Sequence, residues 1–249
     1  MMSLHPWNVV AVNLPEHAHN PIHTDAGAQR AGFPRALVAG VSIYSYLGHP
    51  LIEAFGFDWI ERGGGELRFR RPVFDGDEVC VRPSDLNSLV VHAVTSEPDQ
   101  PRAIFEAVRE APTLVPMRHG EPLPEMTFEL QGEWGSDYAA RLGDDHPLCT
   151  SHGIVHPAVW PALANKVFQN HVVRGQWIHT RSIIRHHGLA TAGSRAVVRS
   201  TVVRRFEKSG ERAVADVHIE VDGKVVASLE HEAIIDTGSL AERSSAESA

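Results

Sequence analysis

The sequence predicts an α+β protein made of two similar halves, and three observations predict it. A chain of 249 residues that is 43% hydrophobic can bury one large core, or two of roughly 100 to 150 residues each. Each half runs in the same order: an irregular stretch, one long apolar-periodic segment, then several strand-like runs. Between the halves, over residues 112–124, the composition turns to Pro, Gly, Arg and His without periodicity, as a linker does. The expected organisation is a first domain over 1–111, a linker over 112–124, a second domain over 125–237 and a flexible polar tail over 238–249.

In the first half, Ile43, Tyr44, Leu47, Leu51 and Phe55 fall near helical spacing and predict a helix over 41–55. Pro50 lies inside that run and should kink or shorten it. Strands are expected over 65–74, 78–82, 88–95 and 102–111, with a turn at 85–87. In the second half, Val159, Leu163, Val167 and Phe168 predict a helix over 158–172, and strands follow over 176–185, 195–206, 211–221 and 225–236. Ala215, Val217, Ile219 and Val221 alternate with Asp216, His218 and Glu220, and Asp222-Gly223 reads as a two-residue hairpin turn. Gly63-Gly64-Gly65 lacks the Lys and Ser/Thr of a phosphate loop and precedes a strand, so a loop or bulge is expected there.

Composition excludes several classes. A formal net charge of −8 argues against nucleic acid and against anionic membrane surfaces, since both need a basic stripe. The two cysteines, Cys80 and Cys149, form no CxxC pattern, so neither a disulfide framework nor a zinc ribbon is expected. No charged segment followed by an apolar run opens the sequence, and no stretch reaches the ~18 apolar residues of a membrane span. A cytoplasmic protein with no cofactor is the expectation. His17, His19, His23 and Asp25 crowd one segment, but sixteen histidines make chance clustering ordinary. A zinc site wants three or four convergent ligands, and no metal is expected.

Four landmarks carry a resemblance. The segment Asn20-Pro21-Ile22-His23-Thr24-Asp25 is followed by Gly32-Phe33-Pro34, then by Leu37-Val38-Ala39-Gly40, then by the run from Glu66 to Val73 with Gly76-Asp77 behind it. Together, over residues 15–81, they resemble the MaoC-like (R)-specific hydratases and dehydratases. That family carries Asp-x-Asn-Pro-x-His in a loop, then an apolar pair and His-Gly at the start of a central helix. A fainter copy occupies Tyr138-Ala139, Gly143 to Cys149 and Ile154-Val155-His156-Pro157. The resemblance implies a double hot-dog fold, each half a long central helix wrapped by an antiparallel sheet. It also implies a monomeric pseudo-dimer or a homodimer.

The implied reaction is reversible addition of water across a 2-enoyl thioester, carried on coenzyme A or on a carrier protein. It needs a base for water, an acid for the α-carbon and a donor for the thioester oxygen. Carried over by resemblance, His23 is the acid/base, Asn20 the family Asn, and the Gly40 N–H the oxygen's donor, with Ala39 in place of the family His. The Asp position falls on Ala18, which exchanges no proton. Glu16 or His19 could fill its place, His23 could work alone with water and Gly40, or the site could bind acyl groups without chemistry. In the second half Asp144 is at the Asp position, His146 at the Asn position and Cys149 at the His position, so neither half holds a complete dyad. A thioesterase is the other enzymatic reading, with Glu53 the only carboxylate on the first helix, near its surface end. A non-catalytic acyl-thioester-binding protein is the third. His156 is expected to cap or pack against the second helix. Arg181, Arg185, Arg199, Arg204 and Arg205 fit either coenzyme A phosphates or solvated strand faces.

Overall fold

The computed structural model describes residues 3–236, and the tail expected over 238–249 lies outside the described residues. The first half begins with β1 (Trp7–Val10), two 3-10 turns at Pro15–His19 and Pro21–His23, α1 (Asp25–Arg30), α2 (Gly40–Phe55) and α3 (Phe57–Arg62). It continues through β2 (Gly64–Phe69), β3 (Glu78–Pro83), β4 (Val90–Val94) and β5 (Ala103–Val108). The second half comprises β6 (Glu121–Pro122), β7 (Met126–Glu129), α4 (Tyr138–Arg141), α5 (Leu148–His152) and α6 (Val159–His171). Four long strands complete it: β8 (Ile178–His186), β9 (Arg195–Glu207), β10 (Glu211–Val221) and β11 (Lys224–Ile234). The class is α+β.

The strands form one antiparallel sheet in the order β1-β3-β4-β5-β2-β8-β11-β10-β9-β6, with β7 also paired to β9. The halves join where β2 pairs with β8, from Gly64 opposite Arg185 to Arg68 opposite Arg181. Gly64 and Gly65 therefore open a central strand, where a loop or bulge was expected. A Cβ on Gly64 would lie 2.2 Å from the Ile184 oxygen, and one on Gly65 would lie 2.4 Å from the Glu106 oxygen. Backbones press on β2 from both sides, and only glycine fits. At the β10–β11 hairpin, Asp222 and Gly223 both take positive φ, 51° and 76°, as a tight two-residue turn requires.

Helix α2 packs on β1, β3 and β4, α6 packs on β8, β9 and β11, and the two helices touch each other. Every residue of α2 from Val41 to Ile52 is buried, the signature of a helix enclosed on all sides. Pro50 does not shorten it: the helix runs on to Phe55. Burial on every face offsets the backbone hydrogen bond that proline forfeits. One apolar cluster spans both halves, and a small satellite of Ile22, Ala28, Ala31 and Leu37 sits under the loop before α2. The second half's arginines are engaged on the sheet: Arg181 pairs with Glu66 and Glu230, and Arg199 with Glu220 and Glu125. Among the described residues no helix is long and apolar enough to cross a membrane.

Candidate active site

The loop from Asn20 to Asp25 is held at several points. Asn20 is buried, and its amide donates to the Trp177 carbonyl of the second half at 2.9 Å. Thr24 caps α1 by accepting from the Gly27 N–H at 3.2 Å. Ile22 plugs the satellite cluster. His23 is thereby fixed with its Nδ1 2.8 Å from the Leu37 carbonyl oxygen. A carbonyl only accepts, so Nδ1 carries the proton and Nε2 presents a lone pair. Burial lowers the His23 pKa to about 4, against the opposing pull of the Leu37 hydrogen bond. At neutral pH the ring is uncharged and ready to accept a proton.

His23 lines a cavity of about 270 Å³ whose walls come from both halves. Ile22, Val38, Ile43 and Phe69 supply apolar wall from the first half, and Trp177, His179 and Ile234 close it from the second. Arg70, Arg71, Arg102 and Arg212 contribute positive charge, and among the described residues no Asp or Glu lines the cavity. Gly40 opens α2 at the cavity wall, so its N–H has no acceptor within the helix. A Cβ on Gly40 would lie 2.7 Å from Phe69 Cζ and 3.1 Å from His179 Nδ1.

A smaller chamber of about 40 Å³ adjoins this cavity, and Asn20, His23, Asn165 and Trp177 line both. Glu16 and His19 belong to the small chamber and not to the main cavity. The Glu16 carboxylate is tied to Arg141 at 2.6 Å, and His19 is exposed. Ala18 lines neither space. The side chain beside His23 on this turn is instead His17, whose ring centroid lies 6.0 Å away. Its Nδ1 accepts from the Leu14 N–H at 3.1 Å, so Nε2 carries the proton. Burial, then neighbouring His23, lowers its pKa to about 3. His17 Nε2, Tyr138 Oη, Asn165 Oδ1 and Trp177 Nε1 are buried without partners around this chamber. At the end of the histidine-rich loop Asp25 accepts the Ala36 N–H on a carboxylate oxygen at 2.8 Å.

The corresponding loop of the second half is built differently. Asp144 Oδ1 lies 2.6 Å from Nδ1 of His49, a residue of α2, and accepts the His146 N–H at 3.0 Å. Trp7 stacks on His49 with centroids 4.0 Å apart, and the His49 and Asp144 side chains are nearly inaccessible, at 7% and 1% exposure. Burial pushes the Asp144 pKa up, but the His49 hydrogen bond and nearby His156 outweigh it, so the net shift is downward. Cys149 is buried, and its thiol is pushed up to about 12 by burial and then by Asp144. His156 accepts the Ala158 N–H at 3.1 Å, bracing the start of α6. Among the described residues, His49, Asp144 and Asp145 bring their ligand atoms within 4.8 Å of one another. Glu53 is exposed near the far end of α2 and lies outside the cavity.

A third cluster has no counterpart among the residues that the motifs picked out. His179 Nε2 is 2.8 Å from Ser182 Oγ, which is 2.9 Å from His231 Nδ1. All three residues are buried. Residues three apart on a regular strand face opposite sides. Here the β8–β11 register jumps between Arg181 and His179, leaving Thr180 as an extra residue. The resulting bulge turns His179 and Ser182 to the same face, where Ser182 lies directly opposite His231. Polar residues alternating into the core of a strand were the available signal; the bulge that aligns them left none.

No family model and no curated protein matches the sequence. Solved structures do match. A MaoC-like dehydratase superposes with a TM-score of 0.62 at 13% identity, over 94% of this chain and 98% of that one. A conserved Mycobacterium tuberculosis protein with a double hotdog fold gives 0.56 at 12% identity, over 94% and 96%. The fold is the double hot dog. A Lactobacillus plantarum protein described as an oleoyl thioesterase also resembles this double hot dog, with a TM-score of 0.53 at 9% identity over 94% and 97%. Likeness at these identities establishes the fold and leaves the chemistry to the site.

Proposed function

We propose that this double hot-dog protein is a hydratase or dehydratase of 2-enoyl thioesters, with His23 as its principal acid/base. The observation that carries the reading is the state of His23: neutral, locked by Leu37 in the tautomer that bares Nε2, on the wall of a mostly apolar cavity. The Gly40 N–H, at the start of α2, is the donor for the thioester oxygen, where the helix dipole also favours negative charge. Asn20 positions the loop through its bond to Trp177. The small chamber behind His23 suits the reacting water, since it has room for about one molecule and offers donors and an acceptor. Glu16 and His19 border that chamber and act at most through its water.

Coenzyme A is a fitting carrier, since Arg70 and Arg71 are exposed cavity residues with no ion pair among the described residues. Each half is read as one hot-dog unit with its long helix against the sheet, divided at 112–124. The chain then acts as its own pseudo-dimer. The absence of a carboxylate from the described cavity lining favours one alternative, a protein that binds acyl thioesters without turning them over.

Loss of enoyl-thioester ultraviolet absorbance with crotonyl-CoA tests the reading. Turnover is expected in the wild-type protein and a loss of about 10² to 10⁴ in His23→Ala. Binding without turnover at any acyl length would replace the hydratase reading by the binding one.

A further inference from the structure

We propose that His179 donates a second hydrogen bond, beside that of the Gly40 N–H, to the thioester carbonyl oxygen of the bound ligand. The proposal rests on the reading of Gly40 as the oxygen's site, but not on the hydration step. His179 belongs to the second half and lines the cavity, and its Nδ1 is buried there without a hydrogen-bond partner. Unpaired buried nitrogens are uncommon in folded proteins. On a residue that lines a cavity, the missing partner is supplied by a ligand that settles against that wall. Nδ1 lies 3.1 Å from the position a Gly40 Cβ would take. That leaves the Gly40 N–H and Nδ1 close enough to share one oxygen at about 2.9 Å from each. The ring of Phe69, 4.9 Å away and edge-on, limits what else can sit there.

The rest of the cluster explains how Nδ1 can be a donor. Ser182 has one proton to give and lone pairs to receive. Between two neutral imidazoles it gives to one and accepts from the other, so two fully bonded arrangements exist. In one, His179 Nδ1 is bare and His231 Nε2 carries the proton. In the other, Ser182 donates to His179 Nε2, and Nδ1 carries a proton into the cavity. An incoming carbonyl oxygen selects the second arrangement, because only there is Nδ1 a donor. Burial, against the opposing pull of the Arg181 backbone, holds His179 at a pKa of about 3, and burial with neighbouring His179 holds His231 well below its usual range, so the donor is a neutral imidazole. Such a donor polarises a carbonyl without leaving a buried charge. Ser182 and His231 are positioning residues, and the β8 bulge aligns them.

The test reads the carbonyl itself. Butyryl-CoA labelled with ¹³C at the thioester carbon cannot be hydrated, and its carbonyl stretch can be followed by difference infrared spectroscopy on binding. Wild-type protein is expected to lower the stretch on binding, His179→Leu to lose most of that lowering, and Ser182→Ala to lose part of it. Where turnover is measurable, His179→Leu should cut kcat about 10²-fold with little change in KM. An undiminished lowering in His179→Leu that still binds overturns the proposal. If His179→Leu does not fold or bind, Ser182→Ala decides: an unchanged stretch there overturns it too. Carbonyl lowering that depends on His179 in a protein without crotonyl-CoA turnover would retain this proposal and discard the hydratase reading. Turnover with a carbonyl indifferent to His179 would do the reverse.

Discussion

The two halves place a motif loop before a long helix, and they have lost opposite things. The first half keeps the histidine and the open cavity: His23 faces apolar space with a free nitrogen. The second keeps the carboxylate and closes over it. Asp144 is bonded by His49, on which Trp7 stacks, with 1% of its side chain exposed. A buried carboxylate needs hydrogen-bond partners, and His49 is supplied by the other half's helix. In return the second half sends Asn165, Trp177 and His179 into the first half's cavity. On the proposed reading the two loops divide the labour. One borders a cavity walled by both halves, and the other helps hold the seam together through His49.

Acid provides the harshest way to break this comparison. Six histidines, the buried His156, His179, His186 and His231 and the partly buried His17 and His23, have pKa values that desolvation lowers well below 6.5. As pH falls from about 6.5 the unfolded chain takes up protons that the folded one refuses. Stability therefore drops, by up to about 1.4 kcal/mol per pH unit for each histidine. The depressed Asp144 acts later. Its contribution is complete above the unfolded carboxylate value of about 3.9 and disappears as pH falls through its lower folded value. Urea unfolding at pH 7 and pH 5 should differ by several kcal/mol, while turnover by the protein still folded at pH 5 stays near its neutral value, because His23 titrates near 4. Equal stability at the two pH values would mean that these rings are not held neutral.

Removing the closed carboxylate sharpens the contrast. Asp144→Ala strands the buried His49 Nδ1 and His146 N–H, and should cost about 3 kcal/mol in urea unfolding. Crotonyl-CoA turnover by the protein that remains folded should be little changed. His23→Ala should do the opposite, losing turnover at nearly full stability. A loss of turnover in Asp144→Ala comparable to that in His23→Ala would move the active half to the other loop.

What the sequence made legible follows this division. Periodicity located both long helices and the eight principal strands within a few residues, because those signals are local. The loop motif picked out Asn20, His23 and Gly40, and these three do share a cavity. His49, Asn165 and His179 were illegible, since His49 meets a loop of the other half and Asn165 and His179 line a cavity that the other half also walls. Pro50 misled for a related reason: its cost is local, and the burial that offsets it is not. His17 was hidden by counting, because the 3-10 turn at Pro15–His19 decides which of its side chains face inward.

Ala18 turns that last point into the mildest experiment. Aligned with the family motif, it is where a catalytic Asp belongs, and Ala18→Asp would then restore a dyad and raise the hydration rate. In the folded chain, however, position 18 borders neither chamber, while His17 and Glu16 border the one behind His23. A carboxylate added outside both chambers on this surface turn shifts stability by no more than about 0.5 kcal/mol, and the hydration rate should stay within about two-fold. A large increase would show that the turn can swing the new carboxylate inward and that only a side chain was lost. No increase would mean that the first half has lost the place for the carboxylate as well as the carboxylate itself. Its proton chemistry then depends on His23, the water behind it and the donors contributed from the second half.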